Sequence, residues 1–190
     1  MNGNLAFQED VWEELIDGQF VAMSPRPNTP HNLVSARLHS IFDYYLRGKP
    51  CTPFADGTDL YLSEKDQFIP DMMVVCDRDK IKDTGVYGAP SLVAEVLSPS
   101  TAKRDKGYKK NAYEAAGVQE YWIVDTNIKS IEVYLLKDGR YTLDEVYSIY
   151  PDSVLKKMTE EERAAIPTEF RCSLFDDLTI RLEDVFERVM

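Results

Sequence analysis

A chain of 190 residues with a hydrophobic fraction of 44% holds enough apolar material for one soluble domain, 1–190, built on one core. Its formal net charge of −11 opposes non-specific binding to a phosphate backbone, so any nucleic-acid contact has to rest on locally clustered basic groups or on bound cations. Three scattered cysteines, Cys51, Cys76 and Cys172, with no CxxC pair argue against a disulfide framework or a zinc cluster, and no run approaches the ~20 apolar residues of a membrane span.

The first ten residues lack the basic and apolar regions of a secretory signal, so the cytoplasm is the expected compartment. Residues 11–23 read as a hairpin turning at Asp17-Gly18. Ser24 to Pro30, with three prolines, reads as a loop. Thr29 can cap a helix with Pro30 in its first turn, and Leu33, Val34, Leu38, Ile41, Phe42 and Tyr45 keep helical spacing to Leu46. Gly48 and Pro50 end it. A weak strand spans Asp59 to Leu62. Two apolar runs, 69–76 and 91–97, suit strands covered on both faces, and Cys76 at the end of the first is expected to be a reduced core thiol.

After Ser98-Pro99-Ser100-Thr101 a second helix is expected to run to Ala116, with Gly117 as its C-cap. Glu120 to Asp125, Ile131 to Leu136 and Tyr141 to Tyr147 read as strands, the last two joined by a turn at Asp138-Gly139. Residues 155–165 are charged and helix-prone, and Leu182 to Val189 reads as a short amphipathic helix. This order indicates an α/β fold, a mixed sheet flanked by helices.

Asp71 and Glu95 each interrupt an apolar strand-like run. A carboxylate is costly to bury there unless it is paired or binds a cation. Two such carboxylates on adjacent strands can hold Mg²⁺ or Mn²⁺ through oxygen. With Asp105 as origin and about 100° per residue, Lys109 falls at about 40°, Ala112 and Ala116 within about 20° of the origin, and Tyr113 at about 80°. Lys109 therefore shares the small, apolar helix face, while Lys103, Lys106 and Lys110 lie on the opposite, solvated side. A lysine beside two carboxylates can orient water or neutralise a developing oxyanion. Glu14, beside Glu13, and His31, in a first helical turn, are weaker candidates, and Asp59 weaker still. Tyr113, Tyr121 and Trp122 read as packing residues.

Ile69-Pro70-Asp71, the stretch Ala94-Glu95-Val96-Leu97-Ser98-Pro99-Ser100-Thr101, Asp105, Lys109, Tyr113 and the run from Gly117 to Asp125 together resemble the Uma family of restriction endonucleases, within the PD-(D/E)xK nuclease-like superfamily. Glu14-Leu15-Ile16-Asp17-Gly18 and His31 fit the same pattern, and the resemblance covers most of residues 11–150. It implies a restriction-endonuclease-like fold and a Mg²⁺-type or Mn²⁺-type site, with Asp71 as the first acid, Glu95 as the second and Glu14 in support. The chain departs from the superfamily's short pattern at Leu97, where a lysine is expected. In this family the lysine is taken to sit on the helix, at Lys109.

The expected activity is hydrolysis of nucleic-acid phosphodiesters, with DNA as the partner and catalytic residues Asp71, Glu95, Lys109 and Glu14. Duplex cleavage by two sites makes a homodimer the expected assembly, with the hairpins at 129–147 as its interface. Two other classes fit the composition. One is an inactive nuclease fold kept as a binding or regulatory module, which Leu97 and the charge of −11 favour. The other is a structural homo-oligomer.

Overall fold

The computed structural model describes residues 12–23 and 27–189. The expectations for the first ten residues, Val11 and the loop at Ser24, Pro25 and Arg26 lie outside them. The hairpin forms as β1 (Glu13–Ile16) and β2 (Gln19–Ala22). Asp17 and Gly18 both take positive φ, 50° and 76°, the geometry that a two-residue hairpin turn requires. Helix α1 (Thr29–Leu46) follows, but Asn28 and not Thr29 caps it: the Asn28 side chain accepts the His31 amide at 2.9 Å.

Then come β3 (Thr52–Ala55), β4 (Leu60–Tyr61), β5 (Gln67–Phe68), β6 (Met72–Val75), β7 (Ile81–Lys82), β8 (Gly85–Tyr87) and β9 (Leu92–Val96). The second helical segment is α2 (Ala102–Arg104), a π turn (Asp105–Lys109) and α3 (Lys110–Ala116), closed by Gly117 at φ 90°. Strands β10 (Glu120–Asp125), β11 (Ser130–Lys137) and β12 (Arg140–Ser148) lead to α4 (Asp152–Leu155), α5 (Glu160–Ala164), β13 (Glu169–Arg171), β14 (Thr179–Arg181) and α6 (Leu182–Phe186).

The central sheet has the order β12-β11-β10-β9-β6-β3, and only its β9–β10 pair is parallel. Its two faces build two cores because successive side chains alternate. Met72, Val74, Leu92, Ala94, Val96, Trp122 and Val124 point to one side, where α1, β13, β14 and α6 cover them. Met73, Val75, Val93, Tyr121 and Ile123 point to the other, against Leu60, Phe68, Val86 and Tyr113. A second sheet, β2-β1-β5-β4-β8-β7, lies on that side.

Two further expectations are corrected. Cys76 is not a free thiol: it forms a disulfide with Cys51. Strand β3, invisible in the sequence pattern, pairs antiparallel with β6 so that Thr52 faces Val75, and the next pair outward is Cys51 and Cys76, with Cα atoms 3.9 Å apart. Spacing along the chain carries no sign of that register. The second helix is not a continuous α-helix either. A π turn carries one extra residue, so the face beyond it slides by one position. Tyr113 takes the inward place that α-helical spacing gives to Ala112, and Ala116 is exposed. Among the described residues no helix is long and apolar enough to cross a membrane.

Candidate functional site

The β6–β9 register pairs Met72 with Ala94. Carried one residue further, it sets Asp71 opposite Glu95, on the same side as Met73 and Val93. Pairing stops at Met72 because the chain bends at Ile69-Pro70-Asp71, where proline has no N–H to donate. The Asp71 carboxylate takes over the vacated hydrogen bond: the Val96 amide donates to its Oδ2 at 2.7 Å. His31 Nε2 lies 3.2 Å from Oδ1, and Ser35 Oγ donates to the Asp71 backbone carbonyl at 3.0 Å.

Glu95 is buried in the middle of β9. Its Oε1 accepts the Tyr113 hydroxyl at 2.7 Å and lies 3.1 Å from Lys109 Nζ. The same ammonium is 2.7 Å from Glu14 Oε1 and 3.8 Å from Asp105 Oδ1. Glu14 Oε1 also accepts the Ile69 amide at 3.0 Å, tying the first hairpin to the bend that carries Asp71. All four of Glu14, Glu95, Asp105 and Lys109 are buried, whereas Glu13 is exposed.

The structure thus gathers Glu14, Glu95 and Lys109 in direct contact, with Asp71 across the strand pair from Glu95. Asp59 does not join them; its Oδ1 accepts Gln67 Nε2 at 2.9 Å in the second sheet. Two further side chains belong to the cluster. Asp105 lies four residues before Lys109, and that i, i+4 spacing was the signal that it shares the lysine's face, whereas Tyr113 reaches Glu95 through the π turn. Tyr121 Oη donates to the Asp105 backbone carbonyl at 3.0 Å, which anchors the π turn to β10.

The electrostatics follow from crowding several carboxylates around one lysine. Burial pushes the Glu95 carboxyl well above its ordinary range; the Lys109 ammonium opposes that rise, and Asp105, Asp71 and Glu14 add to it. Burial also raises Asp105, against the pull of Lys109 and a hydrogen bond from Thr101. For Lys109 burial disfavours the charge, but Glu95, Glu14 and Asp105 outweigh it and the ammonium holds its proton more tightly than usual. Burial acts against a charged His31, and its hydrogen bond and attraction to Asp71 prevail, so its pKa is raised.

The donor set is entirely oxygen, which suits a hard divalent cation. Among the described residues one buried side-chain oxygen, Asp105 Oδ1, has no hydrogen-bond partner, and Glu14, Glu95 and Asp105 outnumber Lys109 in the cluster. Among the described residues no three acidic, histidine or cysteine side chains form a ready-made metal cage. Mg²⁺-type sites use one or two carboxylates and complete the shell with water and substrate phosphate. Asp71 and Glu95, opposite one another across β6 and β9, carry the oxygen donors that such an ion takes.

Comparison with known proteins gives four likenesses. The Uma2 family model, described as "Putative restriction endonuclease", matches residues 4–169. Two uncharacterized proteins of Synechocystis sp. are similar. One, slr1290, is 33% identical over 129 residues, 66% of this chain and 66% of that protein, just under two thirds of its length. The other, sll1609, is 29% identical over 125 residues, 64% of this chain and 70% of that protein. A crystal structure from Anabaena variabilis, described as a "putative nuclease belonging to DUF820", superposes with a TM-score of 0.69 at 17% identity, covering 94% of this chain and 91% of that one. At that identity the likeness establishes the fold, a mixed α/β nuclease-like architecture.

Proposed function

Because the chain belongs to the Uma2 family, we propose that it hydrolyses nucleic-acid phosphodiesters, with DNA as the substrate, at the cluster of Asp71, Glu95, Lys109 and Glu14. One observation carries this reading: a lysine from the helix reaches the second acid, at 3.1 Å from Glu95, although the strand position that holds it in the superfamily pattern is Leu97. Asp71 and Glu95 would hold one Mg²⁺ or Mn²⁺. When bound, that ion supplies charge neutralisation at the phosphoryl oxygens and acidifies nearby water.

The chain's own groups do the rest. Lys109 keeps its proton among three carboxylates and so offers a fixed N–H⁺ donor to the attacking water or to the non-bridging oxygens as charge builds. Tyr113 holds Glu95 Oε1, which fixes the direction of the remaining oxygen. Glu14 joins Lys109 to the Ile69 amide and keeps lysine and Asp71 bend in register. Cutting both strands of a duplex needs two such centres, so two copies acting together is the form we propose on DNA.

A second reading, a nuclease fold kept as a binding module without turnover, is favoured by the ion pairs that already tie Lys109 to Glu14, Glu95 and Asp105. One experiment separates the two. Purified protein is incubated with single- and double-stranded DNA and RNA at low salt, in Mn²⁺, Mg²⁺ or EDTA, beside Glu95→Ala and Lys109→Ala proteins. Cleavage that needs the metal and vanishes in both variants is the expected result. Folded protein that cleaves nothing and gives no Mn²⁺ heat by calorimetry sinks the nuclease reading and leaves the binding module.

A further inference from the structure

The grip on Asp71 extends beyond the strands. His31 and Ser35 are one turn apart on α1, on the buried face of the helix. The first meets the Asp71 carboxylate at 3.2 Å and the second its backbone carbonyl at 3.0 Å. With the Val96 amide at 2.7 Å on the other carboxylate oxygen, three donors from two elements hold one residue. Asp71 needs them because it lies in the bend after Pro70, where no ladder partner fixes either its backbone or its side chain.

The start of α1 is itself fixed. Asn28 caps the His31 amide, Pro30 presets the first turn, and Val34, Leu38 and Phe42 bury the helix against the sheet. His31 therefore reaches Asp71 from a rigid base. Ser35 lies beneath it, where a hydroxyl in the buried face of a helix would otherwise lack a purpose.

We propose that His31 and Ser35 are positioning residues that set the orientation of Asp71 for cation binding. The proposal rests on the reading of Asp71 as a metal-holding acid. Neither residue touches the reacting atoms; both act through Asp71, as the hydrogen-bonding partners of metal-holding carboxylates commonly do. Losing such a partner typically weakens metal binding or activity about 10–100-fold.

The test uses the full chain with His31→Phe, His31→Gln, Ser35→Ala and Asp71→Asn variants. Mn²⁺ affinity is measured by calorimetry, and the Val96 amide is followed by its NMR shift and hydrogen exchange, with thermal unfolding as the check on folding. His31→Phe keeps the ring's bulk without a donor, whereas His31→Gln restores an N–H at similar reach. The expected result is a loss of Mn²⁺ affinity of about 10-fold or more in His31→Phe, a smaller loss in Ser35→Ala, and recovery in His31→Gln. The Val96 amide should exchange faster in His31→Phe and return toward wild type in His31→Gln. Unchanged Mn²⁺ affinity and an unchanged Val96 amide in both His31→Phe and Ser35→Ala, while Asp71→Asn alters both, overturns the proposal. A wild-type protein that binds no Mn²⁺ refutes the metal reading instead; the Val96 amide then decides alone whether His31 orients Asp71, through its response to His31→Phe and His31→Gln.

Discussion

Replacing Lys109 by methionine removes one charge and keeps an unbranched aliphatic stem in place. In the native protein that charge faces Glu14 Oε1 at 2.7 Å, Glu95 Oε1 at 3.1 Å and Asp105 Oδ1 at 3.8 Å, all away from water. Those energies do not add, because much of the attraction only repays the desolvation of the four groups. What the variant leaves behind is a set of buried carboxylates with no counter-charge, and breaking a buried pair in this way costs about 3–5 kcal/mol. The loss must depend on pH. Burial already holds the folded pKa of Glu95 above its ordinary value, and Lys109 is the main influence opposing that rise. Such a raised carboxyl contributes stability that is present below its unfolded value, about 4.3, and is lost as pH rises through the folded pKa. Without Lys109 that folded value climbs further, so the deficit is full at neutral pH and shrinks as pH falls toward 5. Urea unfolding of both proteins in EDTA at pH 7.5 and pH 5.0 reads the difference directly. A deficit below about 1 kcal/mol, or one equal at the two pH values, would refute the reasoning that Lys109 neutralises this cluster.

Three further perturbations test other parts of the structure. Reducing the Cys51–Cys76 bond, which closes a loop with a sequence separation of 25, should lower stability by about 3 kcal/mol, and Cys51→Ser should remove any response to reductant; denaturant curves identical with and without dithiothreitol would mean that the bond does not form. Glu120 is buried on the opposite face of the sheet, where Oε1 accepts Trp122 Nε1 at 2.7 Å and Oε2 accepts the Ser173 amide at 3.0 Å and its hydroxyl at 2.5 Å. Glu120→Gln offers one acceptor oxygen in place of two and should cost about 1–3 kcal/mol, loosening the β13–β14 hairpin; equal stability by urea titration would show that these bonds are dispensable. Gly85, at φ 141°, has no room for a side chain, since an added Cβ would lie 2.4 Å from the Asp59 carbonyl oxygen. Gly85→Ala should therefore lose about 1–3 kcal/mol from backbone strain alone, with the clash adding to it, and an alanine variant that melts with wild type would contradict the β4–β8 geometry.

Much of the fold was legible because long, regular patterns dominate it locally. The spacing of Val34, Leu38 and Phe42 marked α1, the apolar runs around Val74 and Val93 marked β6 and β9, and Asp17-Gly18 and Asp138-Gly139 adopt the positive φ pairs that their turns demand. Glu95 stood out because a charge in a doubly covered strand has to be matched by something, and Lys109 because helical spacing put it on the apolar side. Short strands carried little such signal, and only the weak alternation at Asp59 to Leu62 marked one of them, β4. Strand β3 is four residues long with a proline, and β4, β5 and β7 are two residues each, so their pairing depends on neighbours distant in sequence.

The sequence by itself determined that Glu95 had to be buried with a charge, since desolvation makes a carboxylate in an apolar run conspicuous wherever the chain goes. Only the tertiary structure decided who meets whom. Register set Asp71 across from Glu95 and Cys51 across from Cys76, and the π turn brought Tyr113 to Glu95. Docking of the first hairpin carried Glu14 to Lys109, 95 positions away in the chain. Each of these is a long-range pairing fixed by packing of the whole core, and a local pattern of residues has no means of encoding it.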